Sequence, residues 1–229
     1  MSTYALRDEP TGEPWSSIIA RGDDAELYLQ GQLSQDVSAL GDESRWSLVL
    51  TPDSSLLAAV LLTSIDVGFS LTVPGEVAED VMGALKRFLL RTKCELSWGD
   101  VAPAPFSSLS QRLDERWPGG GEYRARLTPH SYGPRFVERT ISFTKGCFTG
   151  QELVGRLDAR GASVPWRVVY FEADDLEHVD GVLRSAGPVG PQGVTTALTT
   201  SSGTRGMGIA HRTLLTREDF TGVVITPLS

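Results

Sequence analysis

Lys145-Gly146-Cys147-Phe148-Thr149-Gly150-Gln151-Glu152 places an ammonium, a thiol, an amide and a carboxylate within eight residues, and no other window of the chain is so dense in reactive groups. A strand or helix interior gains nothing from two glycines so close together, because each costs backbone entropy. Gly146 and Gly150 therefore mark a backbone that turns sharply or lets another segment approach closely. Lys145 favours the thiolate of Cys147, whereas Glu152 opposes a second negative charge, so the sequence leaves the sign of the net effect open. Cys147 is a nucleophile, a redox thiol or a single soft-metal ligand on one reading, and a buried structural cysteine on the other.

Working outward, Gln151 and Glu152 set an amide beside a carboxylate, the groups that read the N–H and C=O edge of a flat heterocycle such as a pterin; a helix cap is the plainer use. Arg156 and Arg160 flank Asp158 and either hold an anionic tail or form a surface ion-pair ladder. Upstream, Asp23 is placed to cap a short helix with Ala25, Leu27, Tyr28, Leu29 and Leu33 that stops near residues 31–34, with Gln30, Gln32, Ser34, Gln35 and Asp36 at its polar exit. A strand is expected over 15–21, a hairpin over 44–51 and 56–64 around the turn Pro52-Asp53-Ser54-Ser55, and a third strand over 67–73. A helix follows over 74–90, with Val77, Val81, Leu85, Phe88 and Leu89 at helical spacing, and then a strand over 94–98. Residues 1–14 read as a loose lead-in. Residues 99–135, broken by Pro103, Pro105, Pro118, Gly119, Gly120, Gly121, Pro129, Gly133 and Pro134, read as short strands joined by turns or as a connector. Residues 135–143 are helical or irregular. Strands over 164–172, 181–183, 194–198, 207–210 and 223–226 suggest a small C-terminal β-barrel or compact sheet. The expected class is α+β, with residues 1–152 one α+β region, abbreviated at 99–135, and residues 153–229 the barrel.

Composition excludes several functions. The net charge of −8, from 21 basic and 29 acidic residues, argues against a surface dedicated to nucleic acid. No apolar run reaches the roughly 18–20 residues of a membrane helix, and Asp8, Glu9 and Glu13 are unlike a signal peptide, so a cytoplasmic protein without membrane partners is expected. Cys94 and Cys147 form no Cys-x-x-Cys pair, and His130, His178 and His211 are scattered, which suggests surface or structural histidines and no metal site. The phosphate loop, the nucleophile elbow and the zinc-protease helix are all missing. The Gly-Pro-Val-Gly-Pro-Gln-Gly run over 187–193 has prolines where a dinucleotide loop needs free N–H groups, and reads as a turn.

The octet matches at all eight positions the K-G-C-[FY]-x-G-Q-E signature of the YgfZ-type folate-binding proteins, relatives of the glycine-cleavage aminomethyltransferase, and the chain resembles that family. Leu153-Val154-Gly155-Arg156 and Arg160-Gly161 resemble its continuation, and residues 29–37 resemble its L-Q-G-Q-x-[ST]-Q-D-V segment. The resemblance implies an aminomethyltransferase-like folate-binding fold, with mixed or antiparallel sheets and a barrel around a central hole that takes tetrahydrofolate. It implies partners among iron–sulfur enzymes, including those that modify tRNA, or their assembly factors. On this reading Cys147 is the functional thiol and Lys145 its activator. Gln151, Glu152, Gln32, Gln35 and Arg156 shape the folate pocket. One departure bears on chemistry: where aminomethyltransferases carry the acids of G-G-[IL]-x-D-D, this chain has Ala58 and Ala59. A methyl group cannot accept a proton or stabilise a developing ammonium, so an accessory role is expected rather than one-carbon transfer.

Overall fold

The structure, a computed structural model, describes residues 5–6, 14–100, 104–161, 163–217 and 220–228. Most of the lead-in expected over 1–14, and Pro103, lie outside the described residues.

Strands β2 (Trp15–Arg21), β3 (Arg45–Leu50), β4 (Leu56–Ile65), β5 (Gly68–Pro74) and β6 (Glu95–Trp98) form an antiparallel sheet in the order β3-β4-β5-β2-β6. Each strand lies where its sequence pattern placed it. The β3–β4 turn is held by Asp53, whose carboxylate accepts from the hydroxyls of Thr51 at 2.5 Å and Ser55 at 3.0 Å. Helix α1 (Ala25–Gln32) begins one residue later than expected, and no side chain caps it. The Asp24 carboxylate accepts instead from the Lys93 backbone N–H at 2.7 Å, tying the start of α1 to the approach of β6. Helix α2 (Ala78–Lys86), entered through one 3₁₀ turn (Gly75–Val77), buries Ala78, Val81, Met82 and Leu85. It ends before Phe88, which is 42% exposed.

The middle of the chain is helical, not a set of short strands. Its helices are α3 (Leu109–Asp114), α4 (Gly120–Tyr123) and α5 (Pro134–Thr140), with a 3₁₀ turn (Pro129–Tyr132) between the last two. The prolines and glycines that argued against long elements limit these to one or two turns. The Ser108 hydroxyl starts α3 by accepting from the Gln111 N–H at 3.1 Å, and Pro134 starts α5, where its missing N–H costs no helix bond.

The C-terminal part is a second five-stranded sheet, in the order β1-β8-β9-β7-β10. It comprises β7 (Trp166–Ala173), β8 (Gly193–Thr200), β9 (Gly203–His211) and β10 (Val223–Pro227), with β1 (Ala5–Leu6) pairing parallel to β8. Among the described residues the sheet is the open one of the two expected forms and no barrel closes: β1 and β10 end it without pairing with each other. The strand expected over 181–183 is part of helix α7 (Leu176–Arg184), which packs on this sheet. Leu176, Val179 and Leu183 recur at helical spacing, and the Asp175 carboxylate caps the helix by accepting from the N–H groups of Glu177 and His178. A three-residue apolar run was too short to reveal that period.

One apolar core spans both sheets, joining Leu48, Val60 and Leu71 of the first to Val168, Met207 and Ile209 of the second. Trp46, Trp117 and Phe136 bridge it, with ring centroids 4.5 and 5.3 Å apart. Across this core runs a buried polar link. Arg112 and Glu122, both 0% exposed at the side chain, pair at 3.3 Å, and Arg112 also donates to the Trp117 carbonyl at 2.7 Å. Glu122 accepts from the Gly119 N–H at 2.7 Å and from the hydroxyls of Thr195 and Thr196, each at 2.6 Å. Consecutive strand residues normally face opposite sides; a register shift between Val194 and Thr196 lets both hydroxyls reach one carboxylate. Glu122 thus fixes α4 to β8. Removing it leaves the Arg112 charge without its carboxylate and the Thr196 hydroxyl without its acceptor in the interior, so Glu122→Ala is expected to cost about 3–5 kcal/mol. The check is a fall in the urea midpoint of unfolding with an unchanged slope.

Candidate functional site

Helix α6 (Gln151–Ala159) takes its first two residues from the octet and buries Val154 alone. Residues 145–150 form the loop before it, and two distant segments clamp that loop. Gly150 adopts a left-handed φ of +80°, and a Cβ there would lie 2.5 Å from the Thr51 carbonyl oxygen, so both uses foreseen for a glycine meet at this position. At Gly146 neither applies: its φ is ordinary and its surroundings are open. From the β3–β4 turn, the Ser54 hydroxyl donates to the Gly150 carbonyl at 2.5 Å. From α1, the Gly31 carbonyl accepts the Thr149 N–H at 3.0 Å, and the Gln32 side-chain carbonyl accepts the Thr149 hydroxyl at 3.2 Å.

Lys145 makes the third and densest connection. Its ammonium donates to the carbonyls of Gln30 and Leu33, each at 2.6 Å, and of Gln35 at 3.0 Å. All three N–H bonds of the ammonium therefore have acceptors. These carbonyls surround the end of α1, where helical oxygens lack partners and the helix dipole favours a cation. Burial pulls the Lys145 pKa down to about 8 while Asp36 pulls it up, so at pH 7 the group is mostly charged. The segment it grips is fastened independently: Gln30 donates to Asp36 at 2.9 Å and accepts from the Val37 N–H at 2.7 Å. Ser34 donates to the Thr140 carbonyl at 2.6 Å and accepts from the Leu48 N–H at 2.8 Å.

Lys145, Gln151, Glu152 and Arg156 all line one open cleft of about 430 Å³, together with Phe143, Phe148 and Arg160. Gln151 turns back on the loop, its side-chain carbonyl accepting the Phe148 N–H at 3.2 Å. Glu152 and Arg156 pair at 3.1 Å with side chains 84% and 56% exposed, a surface pair that contributes a few tenths of a kcal/mol. Cys147, Gln32 and Gln35 are outside this lining. Cys147 is an exposed free thiol and not a buried one. Gln32 holds Thr149, while the Gln35 side-chain carbonyl accepts the Asp36 N–H at 3.2 Å. Among the described residues no group of three His, Cys, Asp or Glu side chains could hold a metal ion. No helix among them is long and apolar enough to cross a membrane.

Two features were not foreseen. The Arg112–Glu122 pair gave no signal, since neither residue stands in a recognisable motif. His130, expected at the surface or hydrogen-bonded, is 5% exposed, and neither ring nitrogen has a hydrogen-bond partner. Burial lowers its pKa from the ordinary 6.5, the Asp158 charge acts in the opposite sense, and Arg167 adds to the lowering.

No protein-family model matches the chain. An uncharacterized protein of Haemophilus influenzae is 25% identical, the match covering 64% of this chain and 67% of that one. The glycine cleavage system aminomethyltransferase T of Bartonella henselae has a similar fold, with a TM-score of 0.59 at 14% identity over 87% of this chain and 76% of that one. The chain therefore has an aminomethyltransferase-like α+β fold built on mostly antiparallel sheets.

Two outcomes are expected. Lys145→Met leaves three carbonyls without their shared donor and should destabilise by about 2–3 kcal/mol, measured by urea unfolding. For His130 the folded chain holds the neutral imidazole, so its contribution is fully present above the unfolded value of 6.5 and is lost as pH falls toward the lowered folded value. The urea midpoint should drop between pH 7 and pH 5, and His130→Phe should flatten that drop.

Proposed function

We infer that this chain is a tetrahydrofolate-binding accessory protein of the YgfZ type, supporting the assembly or repair of iron–sulfur enzymes, tRNA-modifying ones among them, through Cys147. The observation that carries the reading is the joining of the two segments with family likeness. The exit of α1 and the octet lie 110 or more residues apart in sequence, and Lys145 and Thr149 lock them together within an aminomethyltransferase-like fold. The clamp fixes the loop while leaving the Cys147 thiol exposed to a partner. Arg156 and Arg160 beside Lys145 give the adjoining cleft the cations that a glutamate-bearing folate tail would require. Gln151 and Glu152 stand at the same cleft with hydrogen-bonding edges for a heterocycle.

The fold likeness also raises the alternative of a folate-dependent aminomethyl or methyl transferase. Ala58 and Ala59 oppose it: both are 0% exposed in β4, carbon packed in carbon, with no acid at the positions where the transferases carry theirs. A scaffold that has lost folate is the third reading.

Calorimetry with tetrahydrofolate separates these. Saturable binding is expected, weakened about tenfold, or about 1.4 kcal/mol, in an Arg156→Ala/Arg160→Ala variant. Absence of heat at about 500 μM ligand leaves the scaffold reading, and turnover of methylene-tetrahydrofolate by the wild type establishes the transferase. Cys147→Ser, at an exposed position, should leave the fold intact and abolish support of iron–sulfur enzymes in cells; undiminished enzyme activity would overturn the role of the thiol.

A further inference from the structure

Next to the cleft at the octet, and sharing Phe143 with it, lies a second cleft of about 630 Å³. Its walls come from the start and face of α5 (Pro134, Val137), from Ile141 and from Phe143, all carbon surfaces. His130 and Arg167 line it as well, and Glu138 and Asp158 contribute carboxylates. Such a volume, largely apolar with a few polar groups, is that of a small-molecule site rather than of a packing defect. None of the functional residues inferred from the octet lines it.

Three observations define what fits. Phe143, 49% exposed, offers an aromatic face to the cleft. Glu138 and Asp158, both exposed, face one cation, Arg167, whose Nη1 donates to the His130 carbonyl at 2.9 Å; the charge of the lining is therefore net negative. The His130 imidazole, with neither nitrogen bonded, retains an unused acceptor and an unused donor next to the cleft. An unpaired buried imidazole is costly, and a ligand group is one of the few things that offsets such a cost. Its nitrogens are covered in this structure, so reaching them requires a turn of the ring about χ2.

We propose that the cleft between α5 and the end of α6 binds an aromatic amine. Its flat body lies against Val137, Ile141 and Phe143, its ammonium sits between Glu138 and Asp158, and a polar edge meets His130. An aromatic carboxylate is disfavoured by the same two acids, and a neutral aromatic gains only the apolar contact. The site adjoins the folate cleft, sharing Phe143 with it, and does not rest on the folate reading.

Tryptamine, indole and indole-3-acetate share one ring system and differ in charge, and titrating each into the full-length protein by two-dimensional NMR tests the assignment. Tryptamine is expected to bind saturably with a Kd of about 1 mM, as suits a fragment. Shifts should centre on Gly133, Glu138, Phe143 and Gly161, with indole weaker and indole-3-acetate weakest. Glu138→Gln/Asp158→Asn, at exposed positions that leave the fold undisturbed, should weaken tryptamine about tenfold, with little effect on indole. His130→Phe should weaken both. No saturable binding of tryptamine by about 10 mM overturns the proposal. So does tighter binding of indole-3-acetate, or shifts centred on Gly155 and Arg156.

Discussion

A single ammonium decides the shape of the site. Lys145 takes carbonyls from Gln30, Leu33 and Gln35, so the end of α1 and the loop before α6 hold one geometry. The arrangement is well matched, because the end of a helix has oxygens without partners and a partial negative charge, and lysine brings three donors and a positive one. Thr149 and Ser54 secure the same loop from two sides, and Gly150 alone permits the contact with Thr51. A cation committed in this way is a structural clamp first.

Glu122 plays the corresponding part on the other side of the molecule. It is fully buried, accepts from a backbone N–H and two threonine hydroxyls, and faces Arg112. A buried pair of this kind contributes little net stability compared with apolar residues of the same size. What it provides is register, because the carboxylate is satisfied only when α4 meets β8 at its bulge. The clamp at Lys145 and the link at Glu122 connect segments that the apolar core alone would hold less specifically.

Much of the first sheet was legible. Alternation and turn chemistry placed β2 through β6 closely, because each strand is long enough to show its period and Pro52 to Ser55 can only be a turn. Residues 181–183 of α7 read as a strand because three residues cannot show a helical period. The region from 99 to 135 read as short strands or a connector because Pro and Gly limit helix length without forbidding single turns. For the site, the octet was visible as a cluster of chemistry, and Lys145, Gln151, Glu152 and Arg156 do share one cleft. The exposure of Cys147, the burial of His130 and the existence of the second cleft had no local signature.

The sequence by itself determined the elements whose periods are local, the turn at 52–55, the need for a glycine at 150 and the lack of a proton acceptor at Ala58 and Ala59. These follow from backbone sterics and from side-chain chemistry, which neighbours in the chain suffice to express. The tertiary structure decided which acceptors Lys145 would find, which hydroxyls would meet Glu122, that the second sheet is open among the described residues with β1 at its edge, and that His130 lies inside with neither ring nitrogen hydrogen-bonded among them. Each of these depends on groups far apart in the chain, and hydrogen-bond and charge partners are chosen by proximity after folding, which no local period encodes.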